Sequence, residues 1–154
     1  TYYDFESGWG NWKKKKGSKD CALYKGGTHA PQGSCAIKIC NNNGDESSFW
    51  LKNGIDVTGY ETIKIDFSFK EVGMEIGEDF FVKYYDGTKW QKIKSFIKGE
   101  NFENRNVYYE TISIDKGPKR IFPENMKFKF QCDASDKNDK VFIDDINIKV
   151  TENF

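Results

Sequence analysis

The chain has 154 residues, with 24 Lys plus Arg against 24 Asp plus Glu and a single His, for a formal net charge of zero. That balance argues against nucleic acid as the main partner, since such proteins carry a clear basic excess, and no apolar run approaches the roughly 18 residues of a membrane span. One domain of this length buries about two-thirds of the surface its unfolded chain exposes, and without an internal repeat or low-complexity linker residues 1–154 read as a single module.

In chain order the pattern is strand, turn, strand. TYYDFE (1–6) opens the series, and SCAIKIC (34–40) alternates before the turn cluster NNNGDE. SSFWLK (47–52) follows, then TIKIDFSF (62–69), whose Ile63, Ile65, Phe67 and Phe69 share one face. DFFVKYY (79–85) and KWQKIKSFI (89–97) are joined across Asp86-Gly87, a step that favours a tight hairpin. VYYETISI (107–114), MKFKFQC (126–132) and VFIDDINIKV (141–150) complete the list, and Gly117, Pro118 and Pro123 break any helix between Lys116 and Glu124. Nine or ten short strands spaced by turns predict an all-β fold, an antiparallel sandwich.

The last strand poses a question. Six of its ten residues are β-branched or aromatic, yet Asp144 and Asp145 sit side by side in the middle. If Phe142, Ile146 and Ile148 face the core, Asp144 points inward with them, and a buried carboxylate needs a partner. On a strand, Asp4 and Glu6 share one face, so joined terminal strands would bring Asp4, Glu6 and Asp144 together, with Asp20 of GSKDC as a further donor. Hard oxygen donors of this kind suit Ca²⁺. The alternative is an Asp satisfied by backbone N–H groups or a lysine, and spacing leaves the two open.

The four cysteines, Cys21, Cys35, Cys40 and Cys132, allow three pairings into two disulfides. With no CxxC and only His29 as nitrogen ligand, zinc is disfavoured. An even number of cysteines in an aromatic-rich β protein favours an oxidising compartment. The start at Thr1, without a signal-peptide core, is what a processed secreted protein or a trimmed segment shows. No N-glycosylation sequon is present.

DFESGWGNW, GSKDC, HAPQGSCAIKI, YYDGTKW and KFQCDASDKNDKVFIDDI, in that order, resemble a galactose-binding-like jelly roll, similar to the carbohydrate-binding modules of that fold and to MAM-like extracellular domains. DFE is similar to the acidic pair on the first strand of those modules, and FIDDI to their last strand. The resemblance implies that Asp4, Glu6 and Asp144, with Asp20, hold a structural Ca²⁺ tying the chain ends together. By the same resemblance Cys35 and Cys40 fall at ordinary strand positions; Cys21–Cys132 is the preferred bond, leaving Cys35 with Cys40, a pair that needs a bulge or turn because the two face opposite ways on a regular strand.

Signatures of catalysis are missing: there is no G-x-S-x-G, H-E-x-x-H or phosphate-cradling glycine loop, and Glu78-Asp79 reads as a solvated strand end. A non-enzymatic binding module is expected. Sugars stack on exposed aromatic faces, and Trp12, Trp50 and Tyr85 are the candidates, with His29 of THAPQG beside them. Trp12 and Trp50 stay open between stacking and packing, whereas Trp90 reads as core. The expected function is a secreted, calcium-binding, lectin-like module whose partner is a glycan or extracellular glycoprotein. The alternatives are an adhesion or matrix module that binds protein and an accessory domain of a secreted hydrolase or protease.

Overall fold

The computed structural model describes residues 1–152. Its strands, numbered in chain order, form two antiparallel sheets packed face to face as a jelly-roll sandwich. The first sheet runs β3 (Cys21–Tyr24), β4 (Ala36–Cys40), β11 (Lys140–Thr151), β6 (Thr62–Val72) and β9 (Val107–Asp115), with β1 (Tyr2–Tyr3) also beside β11. The second runs β2 (Trp12–Lys14), β5 (Ser48–Leu51), β10 (Lys127–Asp133), β7 (Asp79–Tyr85) and β8 (Trp90–Ile97). A strand forms in every stretch expected from alternation, although that of TYYDFE is confined to Tyr2–Tyr3. The short strands β2 and β3 were not foreseen, because three or four residues at a sheet rim carry too little alternation to read.

Alternation decides which side chains meet between the sheets. Ile63, Ile65, Phe67 and Phe69 of β6 face Phe80, Val82 and Tyr84 of β7 and Phe128 and Phe130 of β10, all buried. The rings interlock: Phe49 stacks on Phe130 at 5.2 Å, and Phe67 meets Phe130 edge-on at 5.0 Å. The high aromatic content is thus spent largely in the interior.

Strand β11 departs from regular alternation, and this corrects the expected inward set. Its pairing with β6 slips between Asp144 and Asn147, with Ser68 opposite Asp144 and Asp66 opposite Asn147. Three steps on β11 match two on β6, the signature of a bulge, and Asp145 adopts a left-handed φ of 50° to make it. Parity changes there: Val141 and Ile143 point inward before the bulge, Ile146 and Ile148 after it. Phe142 and Asp144 therefore lie on the outer side of the first sheet, not with Ile146. The bulge also divides one edge of β11, so that β4 pairs with residues 140–143 and β1 with 146–147.

All four cysteines are buried free thiols. Cys35 and Cys40 bracket the regular strand β4. Five residues at about 3.3 Å each hold their Cα atoms on the order of 16 Å apart, far beyond the reach of a disulfide. Cys21 and Cys132 both face the inter-sheet core, and burial pushes the Cys21 thiol up to about 12. No helix is long and apolar enough to cross a membrane among the described residues.

Candidate functional site

The outer side of the second sheet carries a groove of about 320 Å³ lined by Asp45, Trp50, Tyr85, Trp90, Asn125, Lys127 and Lys129. Register explains how these residues gather. Trp50 stands opposite Lys129, Lys127 opposite Tyr85, and Tyr85 opposite Trp90, so one outward face collects side chains from four adjacent strands. Trp50, Tyr85 and Trp90 are each half-buried, exposing enough ring to meet a ligand. The Tyr85 and Trp90 rings lie 5.5 Å apart between centroids.

The turn between β7 and β8 holds Tyr85 and Trp90 in place. Asp86 is buried, and its Oδ1 accepts hydrogen bonds from the Lys89 N–H at 2.8 Å and the Thr88 N–H at 2.9 Å. Its Oδ2 accepts one from the Gln91 side chain. The Lys89 and Thr88 N–H groups hold this carboxyl well below the usual carboxylate range. Gly87 has a φ of 98°, and a Cβ there would come 3.1 Å from Pro123 Cβ, so the turn is pinned against the loop that supplies Asn125.

On the groove floor, the Lys129 ammonium is anchored by Asp45 at 3.0 Å and lies 4.4 Å from the Trp90 ring centroid and 5.1 Å from that of Trp50. Aromatic walls with a fixed ammonium, an exposed carboxylate and an amide between them can grip the C–H faces of a sugar while hydrogen-bonding its hydroxyls.

Of the expected ligand-binding residues, the structure brings Trp50 and Tyr85 together and leaves two elsewhere. Trp12 is only 2% exposed and packs against Tyr3, Phe49 and Phe130, so its role is packing. His29 lies over the outer side of the other sheet, its ring 5.1 Å from that of Phe142. The sandwich thus separates it from Trp50, and burial lowers its pKa. Trp90, read as core from the sequence, is a groove wall instead. A signal for this was present, because a two-residue Asp86-Gly87 turn and the four-residue connection that forms both place Trp90 on the same face as Tyr85. Asp45, Asn125, Lys127 and Lys129 left no such trace, as only tertiary pairing brings them to the groove.

The carboxylates at the chain ends meet in a different way from the one expected. DFE is not a strand: β1 stops at Tyr3, and Phe5 takes a φ of 61°. Glu6 turns back so that its N–H donates to Asp4 Oδ1 at 3.1 Å, while its own carboxylate accepts from the Ser34 and Cys35 N–H groups at 2.9 and 2.7 Å. Asp144 is fully buried and accepts from the Gln32 N–H at 3.2 Å and the Asp145 N–H at 2.8 Å. Backbone donors are its partners here, and no lysine or arginine pairs with it among the described residues. Burial pushes its carboxyl up to about 7. The neighbouring Asp145 accepts from Tyr2 Oη at 2.5 Å and Ser68 Oγ at 2.9 Å.

Asp20 is not part of this cluster. It bonds to Asn43 Nδ2 at 2.5 Å and Cys40 Sγ at 3.7 Å, at the end of β4 that pairs with Lys140, about four residues or 13 Å along β11 from Asp144. Among the described residues no group of three or more His, Cys, Asp or Glu side chains stands in a metal-holding arrangement. The donor chemistry of Asp4, Glu6 and Asp144 nevertheless suits a hard cation, since Asp144 is a buried carboxylate with no cationic partner.

No protein-family model matches the chain, and no curated protein matches it in sequence. Its fold is found in solved structures. The CBM22-1 xylan-binding domain of Xyn10C from Paenibacillus barcinonensis superposes with a TM-score of 0.68 at 14% identity, covering 100% of this chain and 95% of that one. The C-terminal family 22 carbohydrate-binding module of Clostridium thermocellum Xyn10B gives 0.65 at 15% identity, with 98% and 92% covered. TmCBM61, solved in complex with β-1,4-galactotriose, gives 0.61 at 17% identity, with 96% and 94% covered. The chain thus has a β-sandwich fold like that of these carbohydrate-binding modules.

Proposed function

We propose that this chain is a non-catalytic carbohydrate-binding module that holds a glycan on the outer face of its second sheet, against Trp50, Tyr85 and Trp90. The observation that carries this reading is the groove itself, where three half-buried aromatic side chains stand with amide, carboxylate and ammonium groups between them. The likeness of the whole fold to modules whose names include xylan-binding and galactotriose-bound examples supports it. A fold hosts many functions, so the groove rather than the likeness bears the weight. A secreted, extracellular setting is part of the same proposal.

The proposal includes a structural Ca²⁺ held by Asp4, Glu6 and Asp144, well away from the groove. Its support is the donor chemistry and the buried, cation-free Asp144. The ion would supply the positive charge that this cluster lacks and tie the first residues to β11.

A glycan array in millimolar calcium, with a parallel EDTA-treated sample, tests both parts. Selective binding that falls at least about fivefold in Trp50→Ala and in Trp90→Ala, both still folded, is the expected result, given about 1–3 kcal/mol for a truncated aromatic anchor. Binding that survives EDTA keeps the glycan reading and leaves calcium a structural role or none. A blank array from folded protein rejects the glycan reading.

A further inference from the structure

The groove sits within a basic row that sugar stacking does not require. Across the outer face of the second sheet, register places Lys13 opposite Trp50, Trp50 opposite Lys129, Lys129 opposite Lys83, and Lys83 opposite Lys92. The row crosses five strands, on the order of 19 Å at about 4.8 Å per strand. Lys127 stands beside it, in the adjoining row with Tyr85 and Trp90.

We infer that the glycan held in this groove is a polyanion, a polysaccharide bearing carboxylate or sulfate groups whose charges the row of Lys13, Lys129, Lys83 and Lys92 meets. The inference rests on the glycan-binding reading above and names its substrate class.

Three features support it. Like charges directly opposite one another on adjacent strands are destabilising, yet Lys129, Lys83 and Lys92 stand in that relation on three successive strands. Burial and the neighbouring ammonium groups of Lys129 and Lys92 pull Lys83 below the ordinary lysine range. Edge lysines commonly discourage unwanted strand pairing, which accounts for Lys13 on β2 and Lys92 on β8 but not for Lys83 and Lys129 on the interior strands.

The third feature is the scarcity of local compensation. The whole chain has a net charge of zero, and Asp45, whose side chain is 62% exposed, is the one carboxylate lining the groove among the described residues. The other acids of this face, Asp79 and Asp133, stand opposite one another four residues along their strands from Lys83 and Lys129, where Asp79 feels the charge of Lys92 alone of the row. The rings are already turned toward cations: the Lys92 ammonium lies 4.0 Å from the Phe81 centroid, and Lys129 lies near both Trp90 and Trp50. An acidic sugar can set its C–H face on an indole and its charge on a lysine from the same row. Single-stranded nucleic acid also combines stacking with anionic groups, so it belongs in the test as a competitor.

Affinity electrophoresis of the intact protein decides the matter, with polymers matched in backbone and differing in charge. Polygalacturonate is set against its fully methyl-esterified form, and dextran sulfate against dextran. Expected is retardation by at least one anionic polymer and not by its neutral twin, with retardation falling as salt rises from about 0.05 to 0.5 M. Which twin pair responds separates carboxylate from sulfate. Lys83→Gln/Lys92→Gln, at positions that tolerate polar replacement, should weaken binding roughly three- to tenfold.

Equal retardation by neutral polymers such as xylan or galactan, dependent on Trp90 and insensitive to salt, overturns the polyanion inference and leaves glycan binding intact. No retardation by any polymer rejects both. Tighter binding of a single-stranded oligonucleotide than of any polysaccharide, lost in the double lysine variant, also overturns the inference.

Discussion

Glu71 is the most exposed to pH of the buried residues, in the energetic sense. It lies on β6 with no accessible surface, and neither carboxylate oxygen has a hydrogen-bond partner. Burial pushes its carboxyl up to about 9, against the opposing pull of Lys98, whose ammonium is engaged by Glu103 at 2.8 Å. Glu71 is therefore protonated in the folded protein at neutral pH and ionised in the unfolded chain. Between about pH 5 and 9 the folded state holds the extra proton, so stability falls as pH rises, by up to about 1.4 kcal/mol per pH unit. Asp144, raised to about 7 by the same cause, adds to the slope in the lower part of that window. Glu71→Gln keeps the shape and removes the ionisation. Urea unfolding at several pH values should give a markedly shallower decline for this variant, and parallel declines would show that Glu71 does not titrate as described.

At the scale of elements, the β7–β8 hairpin links sequence to site most directly. Its strands are rich in β-branched and aromatic residues and its Asp-Gly step was legible, so the presence of this hairpin could be read from the sequence, though not the slip in its pairing between Val82 and Lys83. The buried Asp86 carboxylate, with its bonds to Thr88, Lys89 and Gln91, was not legible, because nothing in the sequence marks which Asp of a turn is enclosed. Asp86→Ala leaves those backbone N–H groups without their acceptor and should cost about 1–3 kcal/mol in stability. It should also weaken glycan binding in protein that is still folded, because Tyr85 and Trp90 flank the turn. Thermal melts and affinity electrophoresis on the same sample check this, and full affinity in a destabilised variant would separate the turn from the site. The bulge in β11 shows a second limit of sequence reading. Alternation identified the strand but not the change of parity at Asp145, which moved Phe142 and Asp144 to the other face.

For the molecule as a whole, the β-sandwich was legible because two-residue periodicity recurs from strand to strand, whereas its sites depend on which strands become neighbours. The fold brings the two ends of the chain together at β11: the Thr1 ammonium donates to the Ile148 carbonyl at 2.7 Å, and the Ile148 N–H donates to the Thr1 carbonyl at 2.8 Å. Beyond Tyr3, the N-terminal segment is held by Phe5, buried in the core against Phe49, and by carboxylates, with Glu6 capping Ser34 and Cys35 beside the buried Asp144. A cation bound by Asp4, Glu6 and Asp144 would favour the folded state by mass action, by about 2.7 kcal/mol at a hundredfold excess over its dissociation constant. Calcium should then raise the melting temperature by several degrees and EDTA should reverse the shift. Asp144→Asn, which keeps an acceptor but loses the charge, should melt at the same temperature with or without calcium. A calcium shift that persists in Asp144→Asn would place the ion elsewhere, and no shift in the parent chain would leave backbone N–H groups as the whole answer to how Asp144 is buried.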